Sequence, residues 1–505
     1  MNMKIYNSLT RRKDEFTPIA DKKVGMYVCG PTVYDEPHIG HARSAYNFDV
    51  VRRYLAYKGY EVTFVRNVTD VDDKIINKAK EVTGSLPAHQ EQGPGQAGHR
   101  VTGLIEATRE ISKKYLDAYH EDMALLGIGR PDKEPKATEY IPKMITFIEA
   151  LIEKGCAYSS GSDVYFDIKK AKGYGKLSNQ NIEKMESGAR ITPGENKKDP
   201  LDFALWKGAK EGEPCWESPW GKGRPGWHIE CSVMSSDILG DGFDIHGGGI
   251  DLIFPHHENE IAQSEGAGKP FARVWIHNGL LTIKGEKMAK SLGNFISIKD
   301  FLKRYRDPDY LKLLFLNTHY RHPVDYTDEK LGEMKAQKER FLILLEKIPR
   351  IIKGHQVTPG SSRTRAGTGK SHGHQPVEEF RKKFEEAMDD DFNTPLALAA
   401  LFDLVTHAHK LMQDKERCTE EEAAELAVIR KAIIDLGAVF CLELAKDVAK
   451  AGVDEKQVLG MIGQRNAARA RKDFKAADDI RQRLLREYGV ILEDTKDGTV
   501  WRSKA

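Results

Sequence analysis

The chain has 505 residues, 40% of them hydrophobic and 30% charged, which implies two to four domains with a sizeable core. The formal net charge of +2 does not announce a nucleic-acid partner, although Gly463–Ala505 is locally basic, with eleven Lys/Arg against seven Asp/Glu. No apolar run long enough to cross a membrane occurs, and Met1–Phe16 lacks an apolar stretch, so neither a span nor a secretory signal is expected and the cytosol is the expected location.

In chain order, Gly25–Cys29 reads as a short strand ending at Gly30-Pro31. A helix is predicted over about Gly40–Lys58, where Ala42, Tyr46, Val50 and Tyr54 recur at fourfold spacing and Gly59 supplies the stop. Tyr60–Val68 reads as a second strand, completing a βαβ unit with parallel strands. Gly84–Gly98, rich in Gly, Pro, Gln and His, reads as an exposed loop. Helical patterns then run to about Lys154, and Gly155–Gly226 reads as irregular β structure. A second α/β half follows: Phe243–His246 as a strand, Gly247–Gly249 as a tight turn, Pro255–Glu265 as a helix and Val274–Asn278 as a strand. From about Asp307 the pattern is helical nearly to Tyr488, with a polar break at Gly354–Gln375. Gly369-Lys370-Ser371 in that break does not complete a phosphate loop, because Thr364 stands where a Gly is required.

Three constellations carry chemistry. Pro37-His38-Ile39-Gly40-His41 follows the first strand and opens the first helix. Unpaired N–H groups and partial positive charge at a helix start suit phosphate. The two imidazoles can donate to one anion, and Gly40 lets a flat base approach the backbone. Lys287-Met288-Ala289-Lys290-Ser291 lies between Gly285 and Gly293, and two lysines on a loop can follow charge onto a leaving pyrophosphate. The third set draws on distant segments: Cys29, Cys231, His256 or His257, and Glu260. Positions 256 and 260 share a helix face, as do 257 and 260, so Cys, Cys, His and Glu could close a tetrahedral zinc site. The six cysteines are otherwise scattered, with no CxxC pair and no disulfide framework.

The first two motifs, in this order, resemble the signature of class I aminoacyl-tRNA synthetases, with Ala289 the one departure from the commoner loop sequence. Cys29–Asp35, Asn67–Lys74, Gly226–Cys231, Asp244–Glu265 and Lys287–Phe295 together resemble the cysteinyl-tRNA synthetase family over most of the chain. The likeness breaks at Gly84–Thr108 and Gly354–Gln375, which read as insertions. The resemblance implies an α/β, Rossmann-like catalytic domain over 1–306, with an insertion at about 110–225. It implies a mostly helical tRNA-binding part over 307–450, opened by Asp389–Pro395, and a small anticodon module over 451–505. A ligase joining cysteine to an amino sugar would share the core but lack the anticodon half.

The family's zinc ligands fall on Cys29, Cys231, His256 and Glu260, with His256 preferred over His257. His38, Gly40, His41, Lys287 and Lys290 would bind ATP, and its four charged or imidazole side chains would be catalytic. Thr69, Trp227 and His246 would line the cysteine pocket, and Arg469, Phe474, Asp478 and Asp494 would face anticodon bases. The implied ligands are one Zn2+ per chain, ATP with Mg2+, L-cysteine and tRNA(Cys), on a chain expected to act as a monomer. Zinc favours thiolate over the nearly isosteric hydroxyl of serine, so metal–sulfur bonding can separate two substrates that shape cannot.

Overall fold

The structure is a computed structural model that describes residues 2–84, 96–180, 197–288, 292–353, 375–413, 418–444, 455–488, 490–495 and 498–503. The chain divides into two compact units. The first comprises Met1–Met334, Glu378–Asp403 and Val439–Leu442; the second comprises Lys335–Val377, Leu404–Ala438 and Glu443–Ala505.

The first unit is built on four parallel strands, Lys23–Val28 (β1), Glu61–Arg66 (β2), Ile245–Gly249 (β3) and Val274–Asn278 (β4), ordered β4-β3-β1-β2. Val24 and Met26–Val28 of β1 are buried, as a central parallel strand requires. The helix Ile39–Tyr57 (α1) crosses from β1 to β2 and buries Ile39, Ala42, Tyr46, Phe48 and Tyr54. It stops at Lys58, where Gly59 takes φ 86°. The chain thus leaves β1 towards one edge and returns at β3 on its other side. Such a reversal opens a crevice at the carboxyl ends of the strands.

Between β2 and β3 the chain makes an excursion. Helices Asp73–Gly84, Gln96–Leu125 and Ile141–Glu153 precede an antiparallel sheet of Ala157–Ser160, Asp163–Phe166, Phe203–Gly208 and Gly223–Pro225. Its core gathers Ile148, Phe166, Trp206 and Ile229. The helix Trp227–Leu239 (α2) then leads back to the main sheet, and Glu258–Gly266 (α3) follows β3.

The βαβ unit and β4 stand where the sequence places them. The glycine triplet does not: Gly247–Gly249 continue β3 rather than turn. The reason is packing. A Cβ at Gly247 would lie 2.2 Å from the Phe48 ring, so only glycine lets α1 lie against this strand. The reversal comes later, through Ile250–His257, and α3 begins at Glu258 rather than Pro255. Val324–Tyr326, inside the stretch read as helical, is a strand parallel to Leu281–Ile283. It is too short to interrupt a helical pattern visibly. The expected loop falls largely on 85–95, outside the described residues, and the helix Gln96–Leu125 begins at its end. The break at 354–374, with Gly369-Lys370-Ser371, also lies outside them.

The Asp389–Asp391 run belongs to the first unit and anchors it. The Tyr54 hydroxyl donates to Asp389 at 2.6 Å, which fixes the last turn of α1. Asp391 accepts from the Tyr6 amide at 2.9 Å and the Tyr320 hydroxyl at 2.7 Å. In the second unit, helices Glu455–Ala470 and Phe474–Glu487 and the hairpin Val490–Thr495/Gly498–Ser503 enclose Val458, Ile462, Leu484 and Leu492.

Gly247→Ala is expected to destabilise the first unit by about 2–3 kcal/mol through overpacking against Phe48. Urea unfolding measures this; a midpoint equal to that of the parent would show that β3 and α1 can part without penalty.

Candidate active site

The start of α1 organises its two imidazoles. His38 caps the helix: its Nδ1 accepts from the amides of Gly40 at 3.1 Å and His41 at 3.3 Å. His41 Nδ1 in turn accepts from the His38 amide at 3.3 Å. The rings stack with centroids 3.7 Å apart. With both Nδ1 atoms accepting, the remaining proton of each neutral ring belongs on Nε2, which becomes a donor. Burial lowers the His41 pKa to about 4, so the ring is neutral near pH 7 and the donor is an N–H rather than a full charge. Gly40 is required here, since a Cβ would lie 2.9 Å from the His38 ring.

This helix start opens onto a cavity of about 460 Å³ at the carboxyl ends of the strands. Its walls include Cys29 and Gly30 after β1, Gly249 and Asp251 after β3, Asn278 at the end of β4, and His38, Gly40 and His41. Lys287, in the short strand Glu286–Lys287 paired antiparallel with Leu281–Ile283 rather than in the expected loop, and Met288 after it close the cavity. Ala289 and Lys290 lie outside the described residues.

At one end of the cavity stands a buried cluster. Cys29 Sγ is 3.6 Å from Cys231 Sγ and 3.7 Å from Glu260 Oε1. His256 Nε2 is 3.1 Å from the same Glu260 oxygen. Zinc bonds of about 2.0–2.3 Å in a tetrahedron imply donor separations of roughly 3.3–3.8 Å; the two Cys29 distances fall in that range and the His256–Glu260 distance just below it. A second admissible set takes His246 and His257 in place of Cys231 and His256. His256 Nδ1 lies 2.9 Å from His228 Nδ1, and Glu260 Oε2 lies 2.8 Å from His246 Nε2. His257 Nδ1 lies 2.8 Å from His277 Nε2, which leaves its Nε2 facing Cys29 at 3.3 Å. Burial pushes the thiols of Cys29 and Cys231 and the carboxyl of Glu260 up, and the imidazoles of His256 and His257 down. Each of these directions disfavours charge, and a divalent cation among the donors would oppose that of the thiols and the carboxyl.

Trp227, 38% exposed at the start of α2, stacks on His256 with centroids 4.1 Å apart and forms the lip of the cluster. Thr69 is buried and donates to Glu230 Oε2 at 2.6 Å. His246 is buried beneath Glu260 and stacks on Trp275. Residues 15–336 match the catalytic domain of class I (C) tRNA synthetases, and residues 383–445 match the DALR domain. The whole chain is 46% identical to all of the cysteine–tRNA ligase of Geobacter metallireducens. It is also 46% identical to that of Thermodesulfovibrio yellowstonii, over 99% of this chain and 100% of that one.

The chain belongs to the cysteine–tRNA ligase family.

The family resemblance expected from the motifs thus holds over the full length. Among solved structures, Mycobacterium tuberculosis methionyl-tRNA synthetase in complex with methionyl-adenylate superposes with a TM-score of 0.59. That match covers 86% of this chain and 95% of that chain at 14% identity, a likeness of fold alone.

In the small C-terminal module, Phe474 is 63% exposed at the start of its helix and Asp478 is exposed one turn on. Arg469 Nη1 donates to Asp494 Oδ2 at 2.6 Å. Asp494 also accepts both Nη groups of the buried Arg465 at 2.8 Å. The Arg pair holds its carboxyl well below the usual range. Arg469, Phe474, Asp478 and Asp494 are all exposed, with Asp494 engaged by the two arginines. Sequence reasoning did not single out His228, His277 or Asp251. His228 lies three residues before Cys231, and that helical spacing is the signal that could have found it.

In the ligand-free protein, His41 should stay neutral down to about pH 5, with its proton on Nε2. Nitrogen-15 shifts recorded through a pH titration report both. A midpoint above 6, or a proton on Nδ1, would contradict the capping geometry.

Proposed function

We propose that this chain activates L-cysteine with ATP, giving cysteinyl-adenylate and pyrophosphate, and transfers cysteine to the 3′-terminal adenosine of tRNA(Cys). The observation that carries the reading is convergence: His38, His41 and Lys287 share one cavity with Cys29, a member of the cluster that could hold a metal. ATP lies with its phosphates at the start of α1, accompanied by Mg2+. The cysteine carboxylate attacks the α-phosphate there. His38 and His41 donate from Nε2 to the phosphoryl oxygens as charge develops, and Lys287, with Lys290 by motif, takes the charge of the departing pyrophosphate.

Cys29, Cys231, His256 and Glu260 are the set that fits zinc best. It contains two thiols, and its His256 is oriented through Nδ1 by His228. In this set His246 donates to Glu260 Oε2 and leaves Oε1 to the metal. Zinc bound there would supply a soft partner for the substrate thiolate that a serine hydroxyl cannot match. Trp227 covers this end, and Thr69 stands near the substrate amine. The first unit carries the adenylation chemistry and the C-terminal module reads the anticodon, with Phe474 stacking on a base and Arg469 and Asp478 beside it.

Metal analysis is expected to find about one zinc per chain, as a single tetrahedral site implies. Cys231→Ala loses both the metal and cysteine binding, whereas full zinc occupancy in that variant would sink the assignment.

His41→Ala and Lys287→Ala are each expected to slow cysteine-dependent ATP–pyrophosphate exchange about 10² to 10³-fold, with cysteine affinity nearly intact. Exchange at the parental rate in both variants would remove these residues from the chemistry. Phe474→Ala should raise the KM for tRNA about tenfold, in line with the loss of one stacked base, and leave exchange alone. An unchanged KM for tRNA would mean that this ring does not meet the anticodon.

A further inference from the structure

One side of the cavity remains without a role. Arg66 is the last residue of β2, is 3% exposed and lines the cavity. Its Nη1 donates to the Tyr119 hydroxyl at 3.3 Å, and its guanidinium lies over the Phe64 ring, 5.0 Å from the centroid. Its Nη2 is buried and has no hydrogen-bond partner among the described residues. Stripping water from a guanidinium without supplying an anion is unfavourable by several kcal/mol. Arg66 thus brings to this wall of the cavity a guanidinium whose Nη2 is unpartnered.

The strand order indicates which oxyanion. Asn278, Asp251 and Lys287 mark the β4–β3 side, whereas Arg66 ends the opposite edge strand. The cysteine carboxylate must turn towards the α-phosphate at the start of α1, and a guanidinium gripping it would blunt its attack. On the Arg66 side, Tyr34 and Tyr119 also line the cavity. Exposed Lys74 places its Nζ 5.2 Å from the Tyr34 ring centroid. The neighbouring Asp73 is taken by Lys207 and Arg224. An outer cation, an aromatic face and an inner cation form the pattern that tracks a single nucleic-acid strand.

Resting on the cysteine–tRNA ligase reading, we propose that Arg66, supported by Tyr119 and flanked by Tyr34, binds the last internucleotide phosphate of the tRNA 3′ end. Arg66 thereby seats the terminal adenosine for the transfer step.

The test uses the zinc-loaded full chain, Arg66→Gln and Arg66→Lys. Single-turnover transfer from preformed cysteinyl-adenylate is measured to tRNA, and to the same tRNA with a neutral methylphosphonate at the last linkage. Arg66→Gln should slow transfer about tenfold or more, as loss of a charge-assisted hydrogen bond implies, with exchange reduced far less and partial recovery in Arg66→Lys. In the parent, the neutral linkage should cost a similar factor, and the two changes together should cost no more than one. Additive losses would overturn the proposal. So would a larger loss in exchange than in transfer, which would place the cysteine carboxylate at Arg66. If the variant folds poorly, the parent alone decides: undiminished transfer to the neutral linkage refutes the phosphate site. Absence of cysteine-dependent exchange in the parent would instead refute the underlying reading.

Discussion

Glu260 carries a carboxylate with no exposed surface, set among the half-buried thiol of Cys29, the buried thiol of Cys231 and several buried imidazoles. A carboxylate stripped of water by itself is unfavourable by several kcal/mol, so it must be protonated or matched by positive charge. Much of the first unit is arranged around this constraint. The end of β1 brings Cys29, α2 brings Cys231, and α3 with the turn before it brings His256, His257 and Glu260. A second layer of His228, His246 and His277 orients these groups from behind. Loss of the central charge match would therefore be felt in three elements at once.

On the proposed reading the same strand end serves two chemistries. Beyond Cys29 the chain turns through Gly30 and, a few residues later, enters α1, whose first turn holds His38 and His41. Amino-acid selection and phosphate chemistry are thus neighbours because β1 is the strand at which the sheet order reverses. The Asp389–Asp391 anchor supports this from the far end, holding α1 through Tyr54. On the proposed reading a metal–sulfur bond carries the selectivity, which pocket shape could not supply well between cysteine and serine.

Much of this was legible in the sequence because the relevant signals are local. The α1 pattern, its Gly59 stop, the strand before it and the motif at its start are each set by neighbours within a turn or two. Cys29, Cys231, His256 and Glu260 were legible through family likeness rather than spacing, and spacing alone left His257 open. The structure retains that alternative as a second geometric set. What escaped depends on contacts distant in sequence. Gly247–Gly249 look like a turn until Phe48 of α1 is placed against them. The arginine partners of Asp494, Arg465 and Arg469, lie 29 and 25 residues away and have no local signal. The orphaned donor of Arg66 has no sequence signature, because an unpaired group is recognised only when its surroundings are known.

The most direct test of the account is cysteine-dependent ATP–pyrophosphate exchange by the zinc-loaded protein, run with serine in place of cysteine and again after removal of the metal by a chelator. Metal-based selection predicts robust exchange with cysteine, and exchange with serine lower by on the order of 10⁴-fold in kcat/KM, the scale reached when a site requires a bond that the competitor cannot make. It also predicts loss of the cysteine signal on chelation and its return with added zinc. Comparable exchange with serine, or full cysteine exchange in metal-free protein, would contradict it.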